Sequence, residues 1–305
     1  MWSRIAVLLC ALCVLASQSL WAVNSATMGV SVFNTIFGIS QGKTKGMHLA
    51  DLKYHTENAR VCVDVSFTLR SVVNGNLSLD DGTARQIAEA LHGSEDNELP
   101  DTLFLAIDRS ITGLIKWMKE DLEAIPVLVF DGNAPPAKAE EKEKRRRQCE
   151  AAYRDALTLT DPKARAKKMR AAIYCSWDMQ KYAMSVCDRE QVEFYTAVSE
   201  ADHLIAFFSR IGFVDLVFTE DSDLIALGAR KIVYGTFRSR GASKKTYDAH
   251  VYDRATDLFK VHLHEASVNV TREYDLRLWL DDHVLLFAAL CGCDYGKMLS
   301  KCGPV

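Results

Sequence analysis

Five apolar runs along this chain end in acid. Asp64 closes Val61-Cys62-Val63, and Asp131 closes Val127-Leu128-Val129-Phe130 just ahead of Gly132. Further along stand Glu200-Ala201-Asp202, then Glu220-Asp221-Ser222-Asp223, and finally Asp294 in Gly292-Cys293-Asp294-Tyr295. A short apolar run without polar alternation reads as a strand covered on both faces. A carboxylate attached to such a strand is costly unless it is paired, hydrogen-bonded or bound to a cation. A fold that gathers these ends at one sheet edge creates a strongly negative pocket. The donors are all hard oxygens, with no His or Cys among them, which points to Mg²⁺ or Mn²⁺ rather than zinc. Two such ions about 3.5–4 Å apart are a common device for phosphodiester hydrolysis.

The order of elements fits that picture. Strands are expected at 61–65, 126–130, 192–195, 216–219 and 231–234. Helices are expected at 111–121, 138–154, 163–177 and 199–210, with Pro135-Pro136 forcing a turn before the second of them. Strands alternating with helices imply an α/β fold with a central, mainly parallel sheet and flanking helices. In such sheets ligands bind beyond the carboxyl ends of the strands. Asp64, Asp131 and Asp221 all fall at that position.

Composition narrows the partners. The chain has 305 residues, 49% hydrophobic and 25% charged, enough for one large domain or two joined lobes. Its formal charge of −3 excludes a generally basic nucleic-acid binder, so contact with DNA must come from a local patch. Residues 138–170 supply one, with twelve Lys/Arg against six Asp/Glu. A solvated charged helix is the plain reading of such a run. Here it directly follows an acidic strand end. The nine cysteines are odd in number and lack zinc spacing, which argues against a disulfide framework or a zinc site. Cys62 and Cys293 are expected as small buried fillers beside their aspartates.

The first 27 residues leave two readings open. Ile5 to Ala16 is an unbroken apolar run of twelve residues, with one positive charge before it and small residues after it. That is the shape of a secretory signal, and it is short for a membrane span. The other reading starts translation at Met28. Each acid also has a plain explanation. Ser199 to Asp202 fits a capping box, the acids around Asp221 fit a polar turn before a helix, and Asp131-Gly132 fits a turn. Together these do not explain why one sheet-end segment after another closes in acid.

The ordered motifs resemble the XPG/flap-endonuclease family of structure-specific 5′ nucleases, across most of residues 28–305. Met28-Gly29-Val30 looks like the family's N-terminus. Val63-Asp64-Val65-Ser66 looks like its first catalytic strand. Val129-Phe130-Asp131-Gly132, with Pro135-Pro136 and Lys138, looks like its second. Ser199 to Asp202 and Thr219 to Leu224 look like its internal motif, and Gly292 to Tyr295 like its last carboxylate. The acid pair Glu200-Ala201-Asp202, followed by Glu220-Asp221-Ser222-Asp223-Leu224, is most similar to the exonuclease 1 branch.

The resemblance implies a PIN-like 5′ nuclease fold with a helical arch over the acidic site. It implies an extension at 1–27, an N-terminal nuclease region at 28–150 and the rest of the arch with the internal nuclease region at 151–305. That last region would end, truncated, inside a helix–two-turn–helix element at Lys301-Cys302-Gly303-Pro304. Asp64, Asp131, Glu200, Asp202, Asp221, Asp223 and Asp294 would hold two Mg²⁺ ions, for which Mn²⁺ could substitute. Lys138 and Arg145 match the basic pair of the arch helix and would draw the scissile phosphate to the metals. Lys142, Lys144, Arg146 and Arg147 would line the path of a single strand, and they also read as a nuclear localisation signal. Arg70 takes the helical place of an aromatic residue or His and could stack on a base. The implied partner is DNA with 5′ ends, flaps, nicks or gaps, and the implied compartment is the nucleus. A mitochondrial or secretory route applies if residues 1–27 are a targeting segment. The rival function is a catalytically silent DNA-binding relative.

Overall fold

A computed structural model describes residues 47–73, 81–93, 98–133, 135–219, 221, 223–240, 246–255, 260–265 and 270–275. Asp294, Glu220, Ser222, Cys293, the segment 1–46 and the Lys301–Pro304 turn lie outside the described residues. The chain falls into two compact units. One comprises the described parts of Met1–Cys62 and Asp202–Val305, and the other comprises Val63–Ala201. The chain passes from the first to the second within strand β2 (Arg60–Asp64).

In the first unit the strand order is β1 (Met47–His48), β7 (Thr246–Asp253), β6 (Lys231–Arg240), β5 (Leu216–Thr219) and then β2. β5 and β6 run parallel, with Val217 opposite Ile232. β7 and β1 are added antiparallel, so this edge is mixed. Helix α1 (Leu49–Thr56) precedes β2, and α8 (Ala201–Ile211) precedes β5. The short helix α9 (Asp223–Ala226) follows β5. A separate antiparallel hairpin pairs β8 (Lys260–Glu265) with β9 (Val270–Asp275). Arg60 fixes the start of β2. Its backbone N–H donates to the Asp215 carboxylate at 2.8 Å, and its guanidinium lies 4.4 Å from the centre of the Phe213 ring.

The second unit orders β2, β3 (Ile125–Phe130) and β4 (Glu193–Thr196), with β3 and β4 parallel. Val127 to Phe130 are completely buried, as a strand without alternation requires. Helix α2 (Val65–Val73) leaves β2 directly, and α3 (Asp81–His92) follows it. Helix α4 (Asp101–Lys116) buries Leu103, Ile107, Ile111 and Ile115, a stripe at four-residue spacing. It closes in a π-turn at Trp117–Asp121 ahead of β3. After β3, a 3₁₀ turn at Pro136–Lys138 leads into α5 (Ala139–Thr158), then α6 (Pro162–Ala172) and α7 (Trp177–Arg189).

The fold is α/β, with a mixed, mostly parallel sheet and flanking helices. The helix expected over 163–177 is two helices. Asp161 caps α6, accepting from the Ala164 N–H at 2.9 Å, with Pro162 preset for the first turn. That helix stops at Ala172. Ser176 then starts α7 by accepting from the Met179 N–H. The break has a local cause, since Ile173 is extended and a new cap follows three residues later.

Candidate active site

In the second unit, β2 ends at Asp64 and β3 ends one residue before Asp131. The Asp64 side chain is 14% exposed. Its Oδ1 accepts from the backbone N–H of Ser66 at 2.7 Å, so Asp64 caps α2. Asp131 accepts at both oxygens. The Ser66 hydroxyl donates to Oδ2 at 2.5 Å, and the backbone N–H of Ala201 donates to Oδ1 at 2.9 Å. Ser66 therefore joins the two carboxylates. Burial, followed by the charge of Asp131, pushes the Asp64 carboxyl up to about 7, while Arg70 opposes the shift. The Arg70 guanidinium lies 3.8 Å from Asp64.

Glu200 comes to the same unit through the loop after β4. The backbone N–H of Gly132 donates to the Ser199 carbonyl at 2.6 Å. A Cβ on Gly132 would stand 1.9 Å from the Ala197 carbonyl oxygen, so only glycine lets the two segments approach this closely. Beside that contact, Lys138 Nζ lies 2.7 Å from Glu200, with each side chain 15% exposed. The capping box expected at Ser199 does not form. The Ser199 hydroxyl is buried without a hydrogen-bond partner, and Asp131 takes the Ala201 N–H instead.

The remaining described acids belong to the first unit. Asp202 lies in the first turn of α8. The Asp221 carboxylate accepts from the Asp223 N–H at 3.0 Å and so opens α9, whose first residue Asp223 is buried. Asp64, Asp131 and Asp221 thus each accept from a backbone N–H at or near a helix start. The dipole of a helix N-terminus favours negative charge there. The capping reading and the ligand reading describe the same atoms.

The model of the XPG I-region matches residues 191–294, the stretch that carries Glu200, Asp202, Asp221, Asp223 and Asp294. Over that stretch the chain is similar to the XPG/flap-endonuclease nucleases. Exonuclease 1 of Oryza sativa subsp. japonica is 29% identical over 187 residues, 58% of this chain and 20% of that protein. Flap endonuclease 1 of Theileria parva is 26% identical over 182 residues, 59% of this chain and 33% of that protein. The chain matches a third or less of the length of these curated relatives. Among solved structures, the catalytic core of Rad2 in complex with DNA substrate shares the fold. Its TM-score is 0.52 at 20% identity, covering 89% of this chain and 64% of that one.

The XPG-family resemblance paired Lys138 with Arg145, and the structure gives them different surroundings. Lys138 ends the 3₁₀ turn and is held at Glu200, whereas Arg145 is 51% exposed on α5 and binds Glu141 at 3.0 Å. The other basic residues of α5 form ladders with acids of the same helix. Lys144 pairs with Glu141, Arg146 with Glu143 and Glu150, and Arg147 with Glu143. Lys142 lies on the same helix. Ser66 and Gly132 are the site residues whose roles sequence reasoning missed. A Ser two places after a strand-end Asp was the only available signal for the first. Cys175 also lies within electrostatic reach. Burial pushes its thiol up to about 12, aided by Asp131 and Asp64, so it stays neutral.

Among the described residues, no three His, Cys, Asp or Glu side chains come together as a ready metal site. The donor chemistry still fits a hard divalent cation. Two part-buried carboxylates face each other, and a cation between them would neutralise their mutual repulsion. The described cysteines, Cys62, Cys149, Cys175 and Cys187, are free thiols. No described helix is long and apolar enough to cross a membrane.

Proposed function

We propose that this chain is a Mg²⁺-dependent, structure-specific 5′ nuclease that hydrolyses phosphodiester bonds in DNA flaps, nicks, gaps or ends, in repair or replication. The observation that carries the reading is the clamped Asp64–Asp131 carboxylate pair at two strand ends, with the Lys138–Glu200 pair in the same unit, in a chain similar to a family of DNA nucleases. Asp64, Asp131, Glu200, Asp202, Asp221, Asp223 and Asp294 would hold two ions, and Mn²⁺ would substitute for Mg²⁺. Bound there, the ions would supply an activated water and stabilise the leaving 3′-oxygen.

The chain's own residues do the rest. Asp64 must lose its proton before it can act as a ligand. Lys138, already at the carboxylates, meets the scissile phosphate and balances its developing charge. Arg70 stands beside Asp64, where a planar guanidinium can contact a base or phosphate. Arg145, Lys142, Lys144, Arg146 and Arg147 on α5 contact phosphates of the single strand. The compartment that suits this work is the nucleus.

The test uses the full chain on 5′-labelled flap, nicked and blunt duplexes, in Mg²⁺ and in EDTA, beside Asp221→Ala. Mg²⁺-dependent cutting that is lost in the variant, with DNA binding kept, supports the reading. Cutting retained in Asp221→Ala removes that residue from the metal set. DNA binding by the folded wild type, with no cutting in any metal, identifies a silent binder.

A further inference from the structure

We propose that Ser66 is a positioning residue that locks the Asp64 and Asp131 carboxylates into one shared geometry for the divalent cation. The inference rests on the nuclease reading above. Ser66 is 5% exposed at the second position of α2. From that place it reaches both acids, with its backbone N–H on Asp64 at 2.7 Å and its hydroxyl on Asp131 at 2.5 Å. The acids come from different strands, and Asp131 is 65 residues away from Ser66 in sequence.

The backbone N–H and the hydroxyl play different parts. Asp131 is held at Oδ1 by the Ala201 N–H and at Oδ2 by the Ser66 hydroxyl, so the hydroxyl removes the last rotation of that carboxylate. Two like charges in a buried site repel, and without the second donor Asp131 is free to turn away from Asp64. The Ser66 hydroxyl donates to Asp131 at 2.5 Å and also helps hold the Asp64 carboxyl down, so one side chain acts on both acids. An alanine at this position keeps the helix and the backbone N–H that Asp64 uses. The hydroxyl's contacts with Asp131 and with Asp64 are lost. Groups that orient metal ligands cost about 10–100-fold in metal affinity or activity when removed.

The experiment compares wild type, Ser66→Ala, Ser66→Thr, Asp131→Asn and the double variant Ser66→Ala/Asp131→Asn as full chains. Mn²⁺ affinity is read by electron paramagnetic resonance without DNA, and kcat and KM are read separately on a 5′-flap duplex. Ser66→Ala is expected to weaken Mn²⁺ binding about tenfold and to lower kcat by a similar factor with KM kept. Ser66→Thr, which retains the hydroxyl, is expected to restore both. In the Asp131→Asn background, Ser66→Ala should add little, because the acceptor charge is already gone. Unchanged Mn²⁺ affinity in Ser66→Ala overturns the proposal, as does equal loss in the alanine and threonine variants with a lowered melting temperature. Mn²⁺ binding by wild type without cutting defeats the nuclease reading alone, and the affinity series still decides the role of Ser66. If wild type binds no Mn²⁺, both fail.

Discussion

The carboxylate site and helix α5 are both rich in ion pairs, yet they use charge differently. At the site, Lys138 and Glu200 are mostly buried and come from segments 62 residues apart, by subtraction of their positions. On α5 the pairs are local. Arg145, Arg146 and Arg147 are each more than half exposed and bind glutamates three or four residues away. A buried pair is expensive to break, because the remaining charge has no water to turn to. An exposed pair is screened and exchanges readily with other anions. The site is therefore built to hold charge in fixed places, whereas α5 is built to trade partners. That division suits the proposed nuclease, which would hold metals and phosphate in fixed places while a strand slid past.

The largest effect should come from breaking the fixed side outright. Asp131→Ala removes the acceptor of both the Ser66 hydroxyl and the Ala201 N–H. Cleavage of a 5′ flap should fall to the level seen in EDTA, while DNA binding measured with Ca²⁺ remains. Retained turnover would show that the Asp64–Asp131 pair is structural only. Lys138→Met comes next. It leaves Glu200 without the cation now 2.7 Å away and should cost about 3 kcal/mol, the lower end for a broken buried pair. Added Mn²⁺ should then raise the melting temperature of the variant more than that of wild type, because the metal replaces the lost charge. The chemical step should slow more than binding weakens. A change in DNA affinity alone would make Lys138 a contact on the path rather than part of the site.

A smaller effect concerns pH. The Asp64 carboxyl sits at about 7 against an ordinary value of 3.8, mainly through burial and then through Asp131. A raised folded-state value means that this group's contribution to stability is complete below about pH 4 and is lost as pH rises through about 7. The metal-free protein should therefore lose this contribution between those values. Asp64→Asn should flatten that part of a melting-temperature profile taken in EDTA. Divalent affinity should run the opposite way, rising with pH through about 7 as the competing proton leaves. A wild-type profile that matches Asp64→Asn throughout would show that the two carboxylates do not interact.

The fixed part of the molecule was the more legible in sequence. Runs such as Val127 to Phe130 can be little else than covered strands, and the acids that close them stand where the structure places them, at strand ends beside helix starts. What stayed hidden depends on contacts distant in sequence. The Ser66 hydroxyl meets a carboxylate 65 residues on, and Gly132 is required by a carbonyl at Ala197 that no local pattern reveals. The antiparallel additions β7, β8 and β9 were also missed. Thr246–Asp253 mixes polar and apolar residues in a way that its pairing with β6 explains and its own composition does not. The capping box at Ser199 looked convincing because local rules favoured it. In the fold the Ser199 hydroxyl makes no hydrogen bond, and a remote carboxylate, Asp131, accepts from the neighbouring Ala201 N–H.

The exchangeable side of the comparison can be sharpened by a change that should barely touch the fold. Glu143 binds both Arg146 and Arg147 at 2.8 Å, and these contacts hold its carboxyl down to about 2, so it is charged at any working pH. In Glu143→Gln, Arg146 keeps Glu150 as a partner, and Arg147 loses the acid it now binds. The melting temperature should stay within measurement error, because both arginines remain hydrated. DNA should bind a few-fold more tightly at low salt, equally across sequences, since the gain is to phosphate rather than to bases. The slope of log affinity against log salt should steepen by about one, the signature of one more neutralised phosphate. An unchanged slope would mean that α5 never meets the backbone and that its ladder serves the helix alone. A steeper slope with unchanged kcat would separate the two regions cleanly, since charge released on α5 would tighten the grip on DNA without reaching the carboxylates.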